Sequence, residues 1–306
     1  MKADEQIYSM RTLKQQEMIN RRKKTKIMII LIILLFILIF TANKAISSIK
    51  IQKQAKEYEK QAIEYSKEQK RIEEEKKEAE EKKKRENLVQ ITEKGKQNFE
   101  TIYHSENKRV FLTFDDGPST VTSTTLNEKG VKATFFVLGS NAEHNPDMVK
   151  KMYEQGHYIA NHGYSHVYSL IYTSPETVLE EFNKTNEIVK NAIGIPEFNS
   201  HLFRFPGGYV GGKYADIKKQ AKELLNKNDI YNIDWNCLSG DAETNNPTPE
   251  YIMKRIQETS HGKNSLIVLM HDAQAKKVTA EKLPEIIDYF ASQGYEFKTF
   301  YDIFEK

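Results

Sequence analysis

The chain has 306 residues, room for one domain of about 200 residues with accessory segments, and is 39% hydrophobic and 29% charged. Lys+Arg 46 against Asp+Glu 43 leaves only +3, too balanced for a nucleic-acid binder recognised through bulk charge. Cys237 is the one cysteine, which excludes an intrachain disulfide framework and a thiolate zinc cluster.

The first element is apolar. Ile27–Ala42 reads IMIILIILLFILIFTA, sixteen residues without a charge. As a helix it falls slightly short of a ~30 Å hydrocarbon core, a gap that snorkelling flanks close. Arg21, Arg22, Lys23, Lys24 and Lys26 precede it and predict a cytoplasmic N-terminus, residues 1–26. A cleaved secretory signal is the rival reading. The long N-region and the lack of a small-x-small site after Phe40 favour an uncleaved anchor, with everything after Ala42 outside.

A charged stalk and linker are expected over 43–107. Lys50–Glu86 holds 13 basic and 11 acidic residues in 37, with no Pro or Gly. Opposite charges three or four apart support an exposed helix. Ile51, Ala55, Tyr58, Ala62, Tyr65 and Ile72 trace a heptad seam that decays after Gln69 and Lys76. The pattern suits a weak self-associating coiled coil or a solvated single-helix spacer. A polar linker is predicted around Thr92–Asn107.

From 108 to 306 strand-like and helical stretches alternate. Strands are expected at Val110–Phe114, Ala133–Val137, Tyr158–Ala160, Leu202–Phe205, Asp229–Ile233, Ser265–Met270 and Tyr295–Thr299. Helices are expected at Asp147–Gln155, Pro175–Ala192, Ala215–Asn226, Pro249–Thr259 and Ala280–Ser292. Ser174-Pro175 and Thr248-Pro249 each place Pro at a first helical position. This alternation predicts an α/β fold with a parallel sheet, open or closed as a barrel.

The polar candidates follow the strands. Asp115 and Asp116 come after VFLTF, His162 and His166 after HYIAN, Arg204 lies in LFRFPGG, Asp241 follows DIYNIDW and His271 follows SLIVLM. Strand C-termini of parallel α/β folds face one way, so residues distant in sequence become neighbours there. In HGYSH two imidazoles four apart face together if the segment makes a helical turn. Neutral imidazoles suit a borderline divalent cation, and Asp115 or Asp116 can add a carboxylate. Three ligands with an open position make a catalytic site. Zinc is the default, with cobalt, manganese and nickel as alternatives. Adjacent carboxylates repel, so one binds the ion and the other takes a proton from activated water.

TFDDGP, HGYSH, RFPGG, SGD and LMHD, in this order across about Val110–Lys306, resemble the motifs of polysaccharide deacetylases, the NodB-homology domain of carbohydrate esterase family four. The resemblance implies a distorted (β/α) barrel of about seven strands. It also implies a divalent metal on Asp116, His162 and His166, Asp115 as general base and His271 as general acid. Arg204 orients the base and Asp241 tunes the acid. Backbone N–H groups of Gly207-Gly208 are expected to help hold the oxyanion. Three positions depart from the family pattern. Gly163 replaces Ser or Thr. Gly207 replaces a frequent Tyr, which is expected to open the cleft. Ala242 replaces Trp, leaving Trp235 to line a sugar groove.

The expectation is therefore a membrane-anchored, outward-facing, metal-dependent N-deacetylase of a cell-wall glycan, with the N-acetylglucosamine of peptidoglycan as the favoured substrate. Chitooligosaccharide, exopolysaccharide, muramic acid and xylan are the alternative substrates. An inactive glycan-binding wall anchor is the rival of another class.

Overall fold

The computed structural model describes residues 2–85, 88–273 and 275–304. The chain separates into two units, Met1–Glu78 and Ala79–Lys306. Glu86 at the end of the predicted stalk helix lies outside the described residues.

The first unit lies within one helix, α1, Lys2–Arg85. Neither Gly nor Pro occurs between Lys2 and Arg85, so nothing in the backbone chemistry stops propagation once the helix has started. The apolar segment and the charged segment are thus continuous. From Ile27 to Phe40 every side chain stands open, from 46% at Ile32 to 71% at Phe40. The helix is long and apolar enough to cross a membrane. Further along, Arg71 pairs with Glu68 at 2.7 Å and Glu75 at 3.5 Å, the helical spacing read from the sequence.

The second unit runs α2 Glu93–Glu100, β1 Arg109–Asp115, α3 Thr120–Glu128, β2 Thr134–Val137, α4 Gly139–His144, α5 Pro146–Glu154, β3 Tyr158–Asn161, α6 Tyr168–Ile171 and α7 Pro175–Ile193. It continues with β4 Leu202–Phe203, α8 Ala215–Asn226, β5 Tyr231–Asn232, β6 Cys237–Leu238, α9 Pro249–Ser260, β7 Ser265–His271, α10 Lys277–Ser292 and β8 Glu296–Lys298. Ser174 and Thr248 cap α7 and α9, accepting from the N–H groups of Thr177 and Tyr251. Each is followed by the expected Pro.

Every strand pair is parallel. The sheet order is β5-β4-β3-β2-β1-β7-β6, and β8 pairs with the start of β1. The curled sheet is the seven-strand (β/α) barrel that was expected. No pairing links β5 to β6 among the described residues, so the barrel is left unzipped there.

Alternation along the strands sorts the core into two layers. Val110, Leu112 and Phe114 of β1, with Leu266, Val268 and Met270 of β7, face the helices and pack with Ile256, Ile286 and Phe290. Phe111, Phe136, Tyr158, Ala160 and Ile267 face inward and meet Phe300, Tyr301 and Phe304. By the same alternation Asp115 and His271 fall on the inner face, where they are register partners. Their strand ends form one wall of the barrel mouth.

The expected polar linker is corrected. Thr92 caps α2 by accepting from the Gly95 N–H. Phe99 packs against Tyr231, Phe300 and Phe304, with ring centroids 5.4, 6.4 and 5.5 Å apart, and Ile102 is fully buried. Phe99 and Ile102 of this polar segment turn inward and close the barrel floor. Strand β6 and the short helices α3, α4 and α6 also went unread. These segments show no clear apolar period of their own.

Candidate active site

The mouth of the barrel gathers the seven side chains that the sequence singled out. Asp115 ends β1 and is 3% exposed. Its Oδ1 accepts from Arg204 Nη1 at 2.8 Å. Arg204 is fully buried; it also donates to Thr113 Oγ1 at 2.8 Å and to the Ile233 carbonyl at 3.1 Å. Its guanidinium lies 4.0 Å from the centroid of Phe136. A buried cation held by this many acceptors has no freedom to turn, so it orients the carboxylate. The other oxygen, Asp115 Oδ2, points to His162 Nε2 at 3.7 Å.

Asp116 Oδ1 lies 3.8 Å from His162 Nε2 and 3.7 Å from His166 Nε2. One donor atom from each of the three falls within 4.8 Å of the others. These gaps are too long for hydrogen bonds. Asp116 Oδ1 is nonetheless buried with no hydrogen-bond partner, an arrangement whose desolvation nothing in the protein offsets. His162 Nδ1 donates to the Arg204 carbonyl at 2.8 Å, which directs the Nε2 lone pair at the cluster. Burial lowers the His162 pKa, outweighing Asp115 and Asp116, which raise it; a neutral imidazole is the ligating form. An orphaned carboxylate oxygen facing two imidazole nitrogens fits a divalent cation. Asp116 and His166 both adopt left-handed backbone, with φ of 71° and 55°. For non-glycine residues that conformation stores strain of the kind found at functional sites.

The helical turn expected for HGYSH is absent. His162 and His166 converge through a loop, in which Gly163 has φ of 80° and a Cβ would meet Ile171 Cδ1 at 2.9 Å and Glu181 Oε2 at 3.0 Å. The positive φ and the close packing favour glycine at this turn. Glu181 of α7 ties the loop down: Oε2 accepts from the Tyr164 and Ser165 N–H groups at 2.9 and 3.1 Å, and Oε1 accepts from Ser165 Oγ at 2.5 Å. Sequence reasoning missed Glu181. Its signal was a charge on the stripe of α7 that also carries the buried Val178 and Thr185.

His271 stands across the mouth. Its Nδ1 donates to Asp241 Oδ1 at 2.8 Å and its backbone N–H to Asp241 Oδ2 at 2.9 Å, where Thr279 Oγ1 also donates at 2.9 Å. Burial works against the Asp241 carboxylate, yet the hydrogen bonds and charge of His271, with Thr279, hold it below its ordinary range. Burial likewise works against charged His271. The hydrogen bond and charge of Asp241, with Asp115 and Asp116, prevail and raise its pKa.

Asp272 was also missed. It accepts from the Ser119 N–H at 2.7 Å and from Ser119 Oγ, and donates its own N–H to the Asp115 carbonyl at 2.8 Å. Burial pushes its carboxyl up to about 6. A cleft of about 590 Å³ opens beside Asp116 and His271, lined also by Ser119, Asn141, Asp272 and Lys276.

One expectation for the Gly207-Gly208 loop is narrowed and another is corrected. The Gly208 N–H is committed to the Phe205 carbonyl at 2.8 Å, which removes it, but not the Gly207 N–H, from the expected oxyanion donors. Gly207 does not open the cleft, because Tyr168 Oη lies 2.5 Å from where its Cβ would stand. Trp235 flanks the same loop, 3.0 Å from the Cβ position of Gly208.

A parallel (β/α) barrel with a two-histidine, one-carboxylate cluster and a His–Asp couple at its mouth has the parts of a metal-assisted hydrolytic site. Comparison with known proteins names the family. The profile described as "Polysaccharide deacetylase" matches residues 103–225. A peptidoglycan-N-acetylglucosamine deacetylase of Bacillus cereus is 30% identical over 230 residues, 71% of this chain and 81% of the relative. A peptidoglycan-N-acetylglucosamine deacetylase of Listeria monocytogenes is 33% identical over 202 residues, 65% of this chain but 39% of the longer relative. Among solved structures, a Streptococcus mutans CE4 esterase superposes with a TM-score of 0.61 at 27% identity, covering 70% of this chain and 98% of that one. The catalytic domain of a peptidoglycan N-acetylglucosamine deacetylase from Eubacterium rectale gives 0.58 at 30%, covering 64% and 90%. The chain belongs to the polysaccharide deacetylases of carbohydrate esterase family four, hydrolases acting on amide bonds.

Proposed function

We propose that this deacetylase removes the acetyl group from N-acetylglucosamine in peptidoglycan, from a membrane-anchored domain on the outer face of the cell. The observation that carries the reading is the orphaned Asp116 Oδ1 between His162 and His166, flanked by Asp115 and His271. The relatives named for peptidoglycan support the substrate. The apolar stretch Ile27–Ala42 after a basic cluster supports the anchor, its N-terminus cytoplasmic.

Asp116, His162 and His166 would hold a divalent cation, with zinc favoured for an N,N,O donor set. When bound, such an ion polarises the acetyl carbonyl and brings a water's pKa toward about 7. Asp115, held by Arg204 through Oδ1, keeps Oδ2 to accept the proton that the attacking water gives up. His271, with Nδ1 tied to Asp241, presents Nε2–H to the glucosamine nitrogen. The water oxygen bonds to the acetyl carbon, His271 protonates the nitrogen, and the C–N bond breaks to acetate and the free amine. The raised pKa of His271 favours its protonated form, the form in which it can act as this acid.

The test is acetate release by metal-loaded protein from peptidoglycan fragments, chitooligosaccharide, exopolysaccharide, muramic acid derivatives and acetylated xylan. Peptidoglycan N-acetylglucosamine should react fastest, and Asp115→Asn should lower turnover by two orders of magnitude or more. Faster release from another substrate overturns the peptidoglycan assignment. An Asp115→Asn variant as active as wild type overturns the base.

A further inference from the structure

Helix α6 begins two residues after His166 and places an apolar group on the rim of the site. Val167, Tyr168 and Leu170 are 45, 41 and 56% exposed. The Tyr168 ring lies between two anchors, its centroid 5.6 Å from that of His166 and 5.8 Å from that of Tyr172. Tyr172 in turn donates to the Pro206 carbonyl at 2.6 Å. The Tyr168 hydroxyl is thereby brought over the loop that carries Arg204. Gly207 has φ of 74°, and a Cβ there would stand 2.5 Å from Tyr168 Oη and 3.0 Å from Cζ. The seat of the phenol exists because residue 207 has no side chain.

We propose that Tyr168 is a substrate-contacting residue whose hydroxyl donates a hydrogen bond to an oxygen of the hexosamine that bears the reacting acetamide. This rests on the deacetylase reading above. Packing alone calls for a buried Phe, whereas this ring is part exposed and its hydroxyl takes no hydrogen-bond partner among the described residues. A phenol held in tilted contact with two neighbouring rings offers an oriented donor at little entropic cost, and a tyrosine rim suits a sugar, with its apolar faces and its oxygens. The two loops that meet under Tyr168 carry His166 and Arg204, so a sugar touching it lies beside both the metal cluster and the base.

The experiment compares wild type, Tyr168→Phe, Gly207→Ala and the double variant as full-length chains in detergent. It records acetate release, binding of an N-acetylglucosamine tetramer, zinc affinity and melting temperature. Tyr168→Phe should lose about tenfold in kcat/KM, roughly 1.4 kcal/mol, and bind the tetramer more weakly. Its zinc affinity and melting temperature should match wild type. The methyl of Gly207→Ala evicts the hydroxyl, so the double variant should be no worse than the poorer single one. Kinetics within twofold of wild type for Tyr168→Phe, losses that track zinc affinity, or additive losses in the double variant each overturn the contact. Wild type that releases no acetate overturns the deacetylase reading instead. Tetramer binding then decides Tyr168, equal affinity of wild type and Tyr168→Phe being the outcome against it.

Discussion

Asp115 and Asp116 are neighbours in sequence, but the barrel gives them different partners. Asp115 is the last residue of β1 and faces Arg204, while left-handed φ at Asp116 swings the next carboxylate to the imidazoles. The couples behind these groups are open to test. Glu181→Gln puts an amide where two backbone N–H groups and a hydroxyl require acceptors. It should weaken zinc binding by about tenfold or more, read by competition with a chelator; unchanged affinity shows that the loop holds its shape without Glu181. Asp241→Asn removes the main influence raising the pKa of His271. The alkaline limb of the kcat/KM profile, where the acid loses its proton, should move to lower pH. The sign for stability is set by both partners. The contribution of His271 is full below its unfolded pKa and is lost as pH rises through the raised folded value. That of Asp241 is full above the unfolded carboxyl range and is lost as pH falls through the depressed one. The stability gap between wild type and Asp241→Asn should therefore be widest between about pH 4 and 6.5 and narrow on either side, measured by denaturant titration.

At the scale of elements, strong patterns were legible and short ones were not. The alternating runs of β1 and β7, and the Ser-Pro and Thr-Pro starts of α7 and α9, stand where their sequence placed them. The loop form of HGYSH and the helix α2 did not. The first depends on Glu181, distant in sequence, and on the room that Gly163 leaves. The second depends on an aromatic floor assembled from the far end of the chain. Phe99→Ala should cost about 2 kcal/mol, less than a fully enclosed Phe because this ring is part exposed. Urea unfolding followed through Trp235, the only tryptophan, provides the measurement. A loss below about 0.5 kcal/mol returns residues 93–100 to the status of a linker.

Across the whole molecule, an uninterrupted helix and a closed-cored barrel behave as separate units. The body contains its own floor, core and site, so removing residues 1–85 should leave its melting temperature and its turnover of soluble oligomers unchanged. Full-length chain should need detergent to stay in solution, as its row of open isoleucines and leucines requires. A truncated body that melts early or turns over slowly shows that the stalk supports the fold.

Period, charge and strand-end placement are local properties, so the sequence alone determined the apolar span, the exposed helix, the parallel sheet and which seven polar side chains gather at the barrel mouth. Which oxygen of which carboxylate meets which nitrogen was decided only by tertiary structure. So was the filling of the space at Gly207 by Tyr168 and the anchoring of the histidine loop by Glu181. Those outcomes depend on close contacts between segments far apart in the chain, and no one-dimensional pattern encodes them.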